Sequence, residues 1–375
     1  MLYQVSPLDG DAVAAREALL AAILEPDPDD APMIGACLFR FPELDVLHVR
    51  LAHDVVDGGG TKEYAYLLAE TYRQLGAEPG YRPAPNIAGS RGLEQIFRHV
   101  APELLTAPDG NPLDFFSSVP AVGFPCIGTA ATDPICELRQ VAPERFRTLR
   151  AYGRAHKATV NDVLLTAFCR AFFELAEPPA GTVVPIQVPI DLRRYLPGGR
   201  AEALANLWAR ERILVPSEPG ATFEQTLATV LAATTAMKDG APGVQLAMML
   251  DHGAKQIGEQ AFGNLGSPIV SARADPGSLM RQPTLTNIGV LDERRFDFGE
   301  PKVDDAFVAG PLCPPGSLMV GVSTFRDTLM LSYSYYRGAT APTDVERFFD
   351  TFVAELPGEG LLTATRSNPA TGRCG

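Results

Sequence analysis

None of the six cysteines stands in a Cys-x-x-Cys pair. Cys37, Cys126, Cys136, Cys169, Cys313 and Cys374 match no zinc spacing. Cys37 and Cys169 lie in apolar runs, as core residues do, and this usage fits a reducing cytoplasm. No stretch reaches the roughly 18 to 20 apolar residues of a membrane span. The opening MLYQVSPLDGD has neither the basic nor the apolar region of a signal peptide. Positive charge is scarce: 32 Lys and Arg against 45 Asp and Glu give a net charge of −13, which argues against nucleic acid or an anionic membrane as partner. The triplet Gly58, Gly59 and Gly60 lacks the Gly-Lys-Ser/Thr of a Walker loop. No Gly-x-Gly-x-x-Gly occurs, and the nearest approach to Gly-x-Ser-x-Gly is AGSRG at 88–92.

The 375 residues, 46% hydrophobic and 21% charged, read as a globular chain with core enough for two lobes. Residues 45–53 are DVLHVRLAH. Leu47, Val49, Leu51 and His53 share one parity, and His48 and Arg50 the other. This is the alternation of a half-buried strand, with His53 expected as the last residue on its apolar face. After the glycines, Tyr64, Leu67, Leu68, Thr71 and Leu75 recur at helical spacing. The stretch LAHDVVDGGG is therefore strand, turn and helix start, where unpaired N–H groups and the positive end of a helix dipole collect. From the residues alone His53 also reads as a structural histidine, and Asp57 as a turn or N-cap residue. His53-Asp54 could be the pair of an HD-type metal hydrolase, but such pairs lie on helices.

Further along, 11–24 reads as a helix, and MIGACLFRF as a strand paired with DVLHVRLAH around Pro42 and Glu43. Helices are expected at about 61–76 and 92–105, before a Pro-, Gly-, Ser- and Thr-rich stretch over 106–133. ICELRQVA is a strand and 143–156 a helix. The clearest amphipathic helix carries Val160, Val163, Leu164, Ala167, Phe168, Ala171, Phe172 and Leu175. Pro185 and Pro189 assign TVVPIQVPIDLRRYL to an edge or irregular strand. LANLWARERILVP is another strand. Helices at 222–238 and 243–262 and strands at 283–291, 318–325 and 328–336 follow, with a hairpin at Arg326 and Asp327. A helix at 342–356 and a disordered tail, TATRSNPATGRCG, close the chain.

The order of HDVVDG at a strand end, then ATVNDVLL, VPIDLRR and a TNIG strand, resembles the condensation-domain and HxxxD alcohol acyltransferase superfamily. The resemblance covers roughly residues 5–356. It implies a chloramphenicol acetyltransferase-like α/β fold: two lobes with mixed sheets and an active-site tunnel between them. Residues 1–110 would form the first lobe, 111–133 the crossover, 134–360 the second lobe and 361–375 the tail. It implies His53 as a general base in mid-tunnel, taking a proton from a hydroxyl or amine acceptor as that atom attacks a thioester. Imidazole suits the task because it titrates near neutral pH. Asp57 would turn away from the tunnel to an arginine, Arg193 or Arg194, and fix the histidine loop. Gly58 would let backbone approach the reacting centre. Thr286 and Asn287 would face the oxyanion or substrate, although Asn287 reads equally as a strand-bonding residue. Asn161 and Asp162 read as caps and packing residues of the long helix, His156 and His252 as surface or capping residues, and His99 is unassigned.

The same resemblance implies no metal and no tightly bound cofactor. The donor would be acyl-CoA or a phosphopantetheine thioester on an acyl or peptidyl carrier protein, and the acceptor a small alcohol or amine. Arg139, Arg145, Arg147, Arg150, Arg154 and Lys157 could form a basic patch for a carrier or an ordinary solvated face. Two departures stand out: only 52 residues precede His53, and Ala52 replaces the first histidine of an HH pair. The short first lobe suggests a hairpin with an unpaired side, and hence a homodimer or a complementing chain. It also raises the alternative of a catalytically inactive condensation-like module that binds a carrier protein or partner.

Overall fold

The computed structural model describes residues 2–7, 11–24, 33–105, 122–257 and 282–358. Strand β1 (Leu2–Pro7), helix α1 (Ala12–Leu24) and strands β2 (Ile34–Arg40) and β3 (Asp45–Leu51) open the chain. Helix α2 (Gly58–Ala77) and a short α3 (Glu94–Phe97) follow, then β4 (Pro134–Val141), α4 (Pro143–Ala155), α5 (Val160–Ala176), β5 (Val183–Asp191) and β6 (Trp208–Pro216). Helices α6 (Phe223–Asp239) and α7 (Val244–Ile257), strands β7 (Thr284–Val290), β8 (Met319–Phe325) and β9 (Thr328–Tyr336), and helix α8 (Pro342–Glu355) complete the described elements. They form a three-stranded sheet, β1-β2-β3, and a six-stranded mixed sheet, β4-β9-β8-β7-β5-β6.

Side-chain parity divides the larger sheet into two unlike faces. Val184, Ile186, Ile213, Leu285, Val320, Val322, Leu329 and Leu331 are buried on one of them, in the main core. Helix α5 joins that core, where Phe168 packs edge-on to Phe348 and Phe352 of α8 at 5.7 and 6.0 Å. Much of the other face is polar or small: Ser332 and Gly321 lie opposite each other across β8 and β9, Gln187 opposite Arg212, and Pro189 opposite Arg210. Its β4–β9 end is covered by Leu20, Ile23 and Leu24 of α1 and by Phe307, packed on Cys136, Leu138 and Met330. Arg326 and Asp327, at φ 46° and 60°, make the two-residue hairpin turn between β8 and β9.

Four sequence expectations change. β3 ends at Leu51, so His53 is not a strand residue. The last ladder-like bond is Ala52 N–H to Met33 O at 2.9 Å, after which Val55 and Val56 both turn back to Ala52 O. β5 is an interior strand, not an edge. Its prolines act on one neighbour: N–H groups of alternate residues point the same way, and Gln187 N–H points to Pro283 O on the β7 side. Pro185 and Pro189 therefore withhold donors from β7, and the β5–β7 ladder shrinks to the pair Gln187–Thr284. The expected helix at 92–105 splits into α3 and a separate 3-10 turn at Pro102–Leu104, since proline cannot continue the helical bonding. Strand β1 was not anticipated; it runs parallel to β2 and occupies that edge of the hairpin. Among the described residues β3 keeps an outer edge with no strand partner.

Residues 111–121 of the expected crossover, 258–262 of the expected helix and the tail lie outside the described residues. Among the described residues no helix is long and apolar enough to cross a membrane. Truncating the fully buried ring in Phe168→Ala should cost about 3–5 kcal/mol, read as a lower urea midpoint with unchanged slope; a loss under about 1 kcal/mol would show that α5 does not organise the core.

Candidate active site

His53 begins the turn between β3 and α2 and its side chain is exposed. Its carbonyl accepts from Asn206 Nδ2 at 2.7 Å, which ties the turn to the approach of β6. Its ring meets the indole of Trp208 edge-on, with centroids 5.8 Å apart. Enclosure in mid-tunnel was expected; the described residues leave the imidazole open to solvent.

Asp57, four residues on, is 4% exposed and caps α2. Oδ1 accepts from Gly60 N–H at 2.7 Å. Oδ2 accepts from Arg193 Nη1 at 2.9 Å and from Leu207 N–H at 2.6 Å. Of the two arginine candidates, Arg193 makes the ion pair, while the Arg194 guanidinium lies 5.8 Å from the centroid of the Tyr195 ring. Arg193 also donates to Asp191 Oδ1 at 3.0 Å and Ala205 O at 2.7 Å. Burial opposes its charge, but the bond and attraction to Asp57, and then Asp191, outweigh that and raise its pKa above the usual arginine value.

The glycine triplet is the first turn of α2, and each member is packed where a Cβ would collide. At Gly58 it would lie 2.5 Å from Ile288 Cδ1, at Gly59 2.6 Å from Arg193 Nη1, and at Gly60 2.9 Å from Ala205 O. The absent Cβ at Gly58 thus lets α2 lie close to Ile288 of β7. Ile288 sits in a β7 bulge between Asn287 and Gly289, and Lys62 Nζ donates to its carbonyl at 2.7 Å. Burial lowers the Lys62 pKa below its usual value, against the pull of Asp191, Glu63 and Asp57.

Asn287 holds the bulge: Oδ1 accepts from Gly289 N–H at 2.9 Å, and Nδ2 reaches Asn161 Oδ1 in the first turn of α5 at 3.4 Å. Thr286 pairs with Gly321 of β8 and, by parity, shares the polar face with Arg210 and Trp208. Neither Thr286 nor Asn287 bonds to His53. Asp162 forms a capping box with Thr159 at the start of α5 and accepts from Lys238 Nζ at 3.0 Å. His156 caps α4 and stacks on Tyr152 at 4.0 Å.

Trp208, against the His53 ring, and Arg210, on Trp208, were not among the expected site residues. The Arg210 guanidinium carbon lies 5.3 Å from the centroid of the Trp208 ring, and burial pushes its pKa down to about 10. The available signal was the sole tryptophan of the chain, two residues from an arginine in the strand WARERILVP. Of the arginines read as either a basic patch or a solvated face, Arg139 pairs with Glu137, Arg147 with Glu144, Arg150 with Asp327, and Arg145 donates to Leu356 O. Among the described residues no three His, Cys, Asp or Glu side chains are grouped to hold a metal.

Asp57→Ala would strand the buried Arg193 and remove the α2 cap, at a cost of about 3–5 kcal/mol in chemical denaturation. Asp191→Ala, at a half-exposed partner of the same arginine, should cost no more than about 1 kcal/mol. Equal losses would show that Asp57 is not the anchor.

No protein-family model and no curated protein matches the chain. Solved structures do. The trichothecene 15-O-acetyltransferase TRI3 of Fusarium sporotrichioides superposes with a TM-score of 0.62 at 13% identity, covering 94% of this chain and 76% of that one. The first condensation domain of the calcium-dependent antibiotic synthetase, in complex with a substrate analogue, gives 0.61 at 17% identity, covering 95% and 77%. The epimerization domain from the third module of tyrocidine synthetase B gives 0.58 at 14% identity, covering 94% and 78%. The chain therefore has the chloramphenicol acetyltransferase-like α/β fold that condensation domains, epimerization domains and this acetyltransferase share.

Proposed function

We propose that the protein is an HxxxD-type acyltransferase that moves an acyl group from a thioester to a hydroxyl or amine, with His53 as general base. The observation that carries this reading is the division of labour in the motif. Among the described residues the bonds to the Asp57 carboxylate come from scaffold groups, so it is read as an anchor and not a relay partner; it holds a turn from which His53 is presented, exposed and with no hydrogen bond to its ring among the described residues. The fold shared with an acetyltransferase and with condensation domains supports the same class.

In this reading the neutral imidazole accepts the acceptor's proton as its oxygen or nitrogen bonds to the thioester carbonyl carbon. The C–S bond then breaks, and the departing thiolate takes the proton back from the imidazolium. Negative charge develops on the carbonyl oxygen between these steps. The Thr286 hydroxyl, on the polar face shared with Trp208, is its proposed donor, with Asn287 fixing the bulge beside it. CoA or a phosphopantetheine arm is the donor's carrier and enters as substrate.

The test is incubation of the purified protein with a panel of acyl-CoA and acyl-carrier donors plus alcohols and amines, following release of free thiol. His53→Ala should lower turnover by about 10² to 10⁴-fold with unchanged melting. Wild-type turnover in that variant would remove His53 from the chemistry. A wild-type protein that releases no thiol but binds a carrier protein would support the non-catalytic module instead.

A further inference from the structure

Trp208, Arg210 and Arg212 alternate along β6 and so share the polar face of the sheet, the face on which the indole meets His53. Two acids near Arg210 in the sheet are already engaged. Asp191, opposite Trp208, bonds Arg193, and Glu211, on the other face, accepts from Gly243 N–H at 2.6 Å. Among the described residues no carboxylate pairs with Arg210 and no hydrogen bond to its guanidinium is made; its one partner is the Trp208 ring. In a chain of net charge −13, a half-buried guanidinium left without an acid, on the ring that touches the candidate base, is an unmet demand for an anion. It remains protonated at neutral pH, since burial lowers its pKa only to about 10.

We infer that Arg210 anchors a carboxylate on the acceptor, which makes the acceptor a small hydroxy or amino acid lying along Trp208 with its reacting O–H or N–H at His53. The substrate class rests on the proposed acyl transfer; the binding site does not. The phosphate of a CoA or carrier donor does not fit the demand. The pantetheine arm, with its two amide units, holds that phosphate far from the sulfur, whereas Arg210 is one indole away from the base. A guanidinium also presents paired N–H donors that match a carboxylate.

Trp208 is the sole tryptophan of the chain, so intrinsic fluorescence reports on this site without any reaction. The probes are lactate and mandelate, each beside its methyl ester. The free acids should shift the Trp208 emission at concentrations about 10- to 100-fold below those needed for the esters, the margin of a charge-assisted hydrogen bond. Arg210→Gln should abolish that margin and leave the ester response in place, and Arg210→Lys should restore part of it. His53→Ala should keep the preference for acids while losing acyl transfer, which separates this inference from the catalytic one. In turnover, Arg210→Gln should raise KM for hydroxy acids and leave KM for the donor unchanged. Equal response to acid and ester in the wild type overturns the inference, whether or not the variants fold. So does a preference for acids that survives Arg210→Gln, or a KM change that follows the donor.

Discussion

The Asp57 carboxylate accepts hydrogen bonds from the first turn of its own helix, α2, and from two distant parts of the chain, the Arg193 guanidinium after β5 and the Leu207 amide ahead of β6. A buried carboxylate is tolerable only when its charge and lone pairs are met, and here they are. The arrangement converts one costly side chain into a joint between α2 and the β5–β6 half of the larger sheet. The position of His53 follows from it, because the histidine's own carbonyl is held by Asn206, beside Leu207.

The glycines follow from the same joint. A helix start drawn this close to Arg193 and to the Ala205 carbonyl has no room for Cβ atoms, and Gly59 and Gly60 meet that need. A phosphate cradle would present a similar triplet in sequence but needs its amides free. Here the Gly60 amide is already given to Asp57.

Much of the second half of the chain was legible in sequence because its periodicities are strong. The apolar spacing of Val160 to Leu175 matches α5, and the β8–β9 hairpin turns at Arg326 and Asp327 as read. The misreadings have local causes. Parity alone carried His53 onto the strand, because alternation says nothing of where pairing stops. Pro185 and Pro189 signalled an edge or an irregular strand, and the second holds: both face one neighbour, so the ladder to β7 is cut to one pair while the ladder to β6 survives intact. At the site, the pairing of Asp57 with an arginine was legible only through the family resemblance that the HDVVDG motif and the downstream PIDLRR carry; from the residues alone Asp57 read as a turn or N-cap residue. Trp208 and its neighbour Arg210 could not be read, since the contact of Trp208 with His53 depends on a segment 150 residues away that brings Leu207 onto Asp57.

The single pairing between β5 and β7 makes that line a mechanical seam through an otherwise continuous sheet. The first turn of α2 straddles it. On one bank it is fastened through Asp57 to Arg193 and Leu207; on the other, Gly58 rests on Ile288 and Lys62 grips the Ile288 carbonyl. The helix is a splint across the gap, in place of the missing ladder. Trp208 and Arg210 stand on one bank and Thr286 on the other. Widening or shearing along the seam would alter the reach between them while leaving each half's own pairing intact, so the width of the site is governed by a helix end rather than by the sheet that floors it.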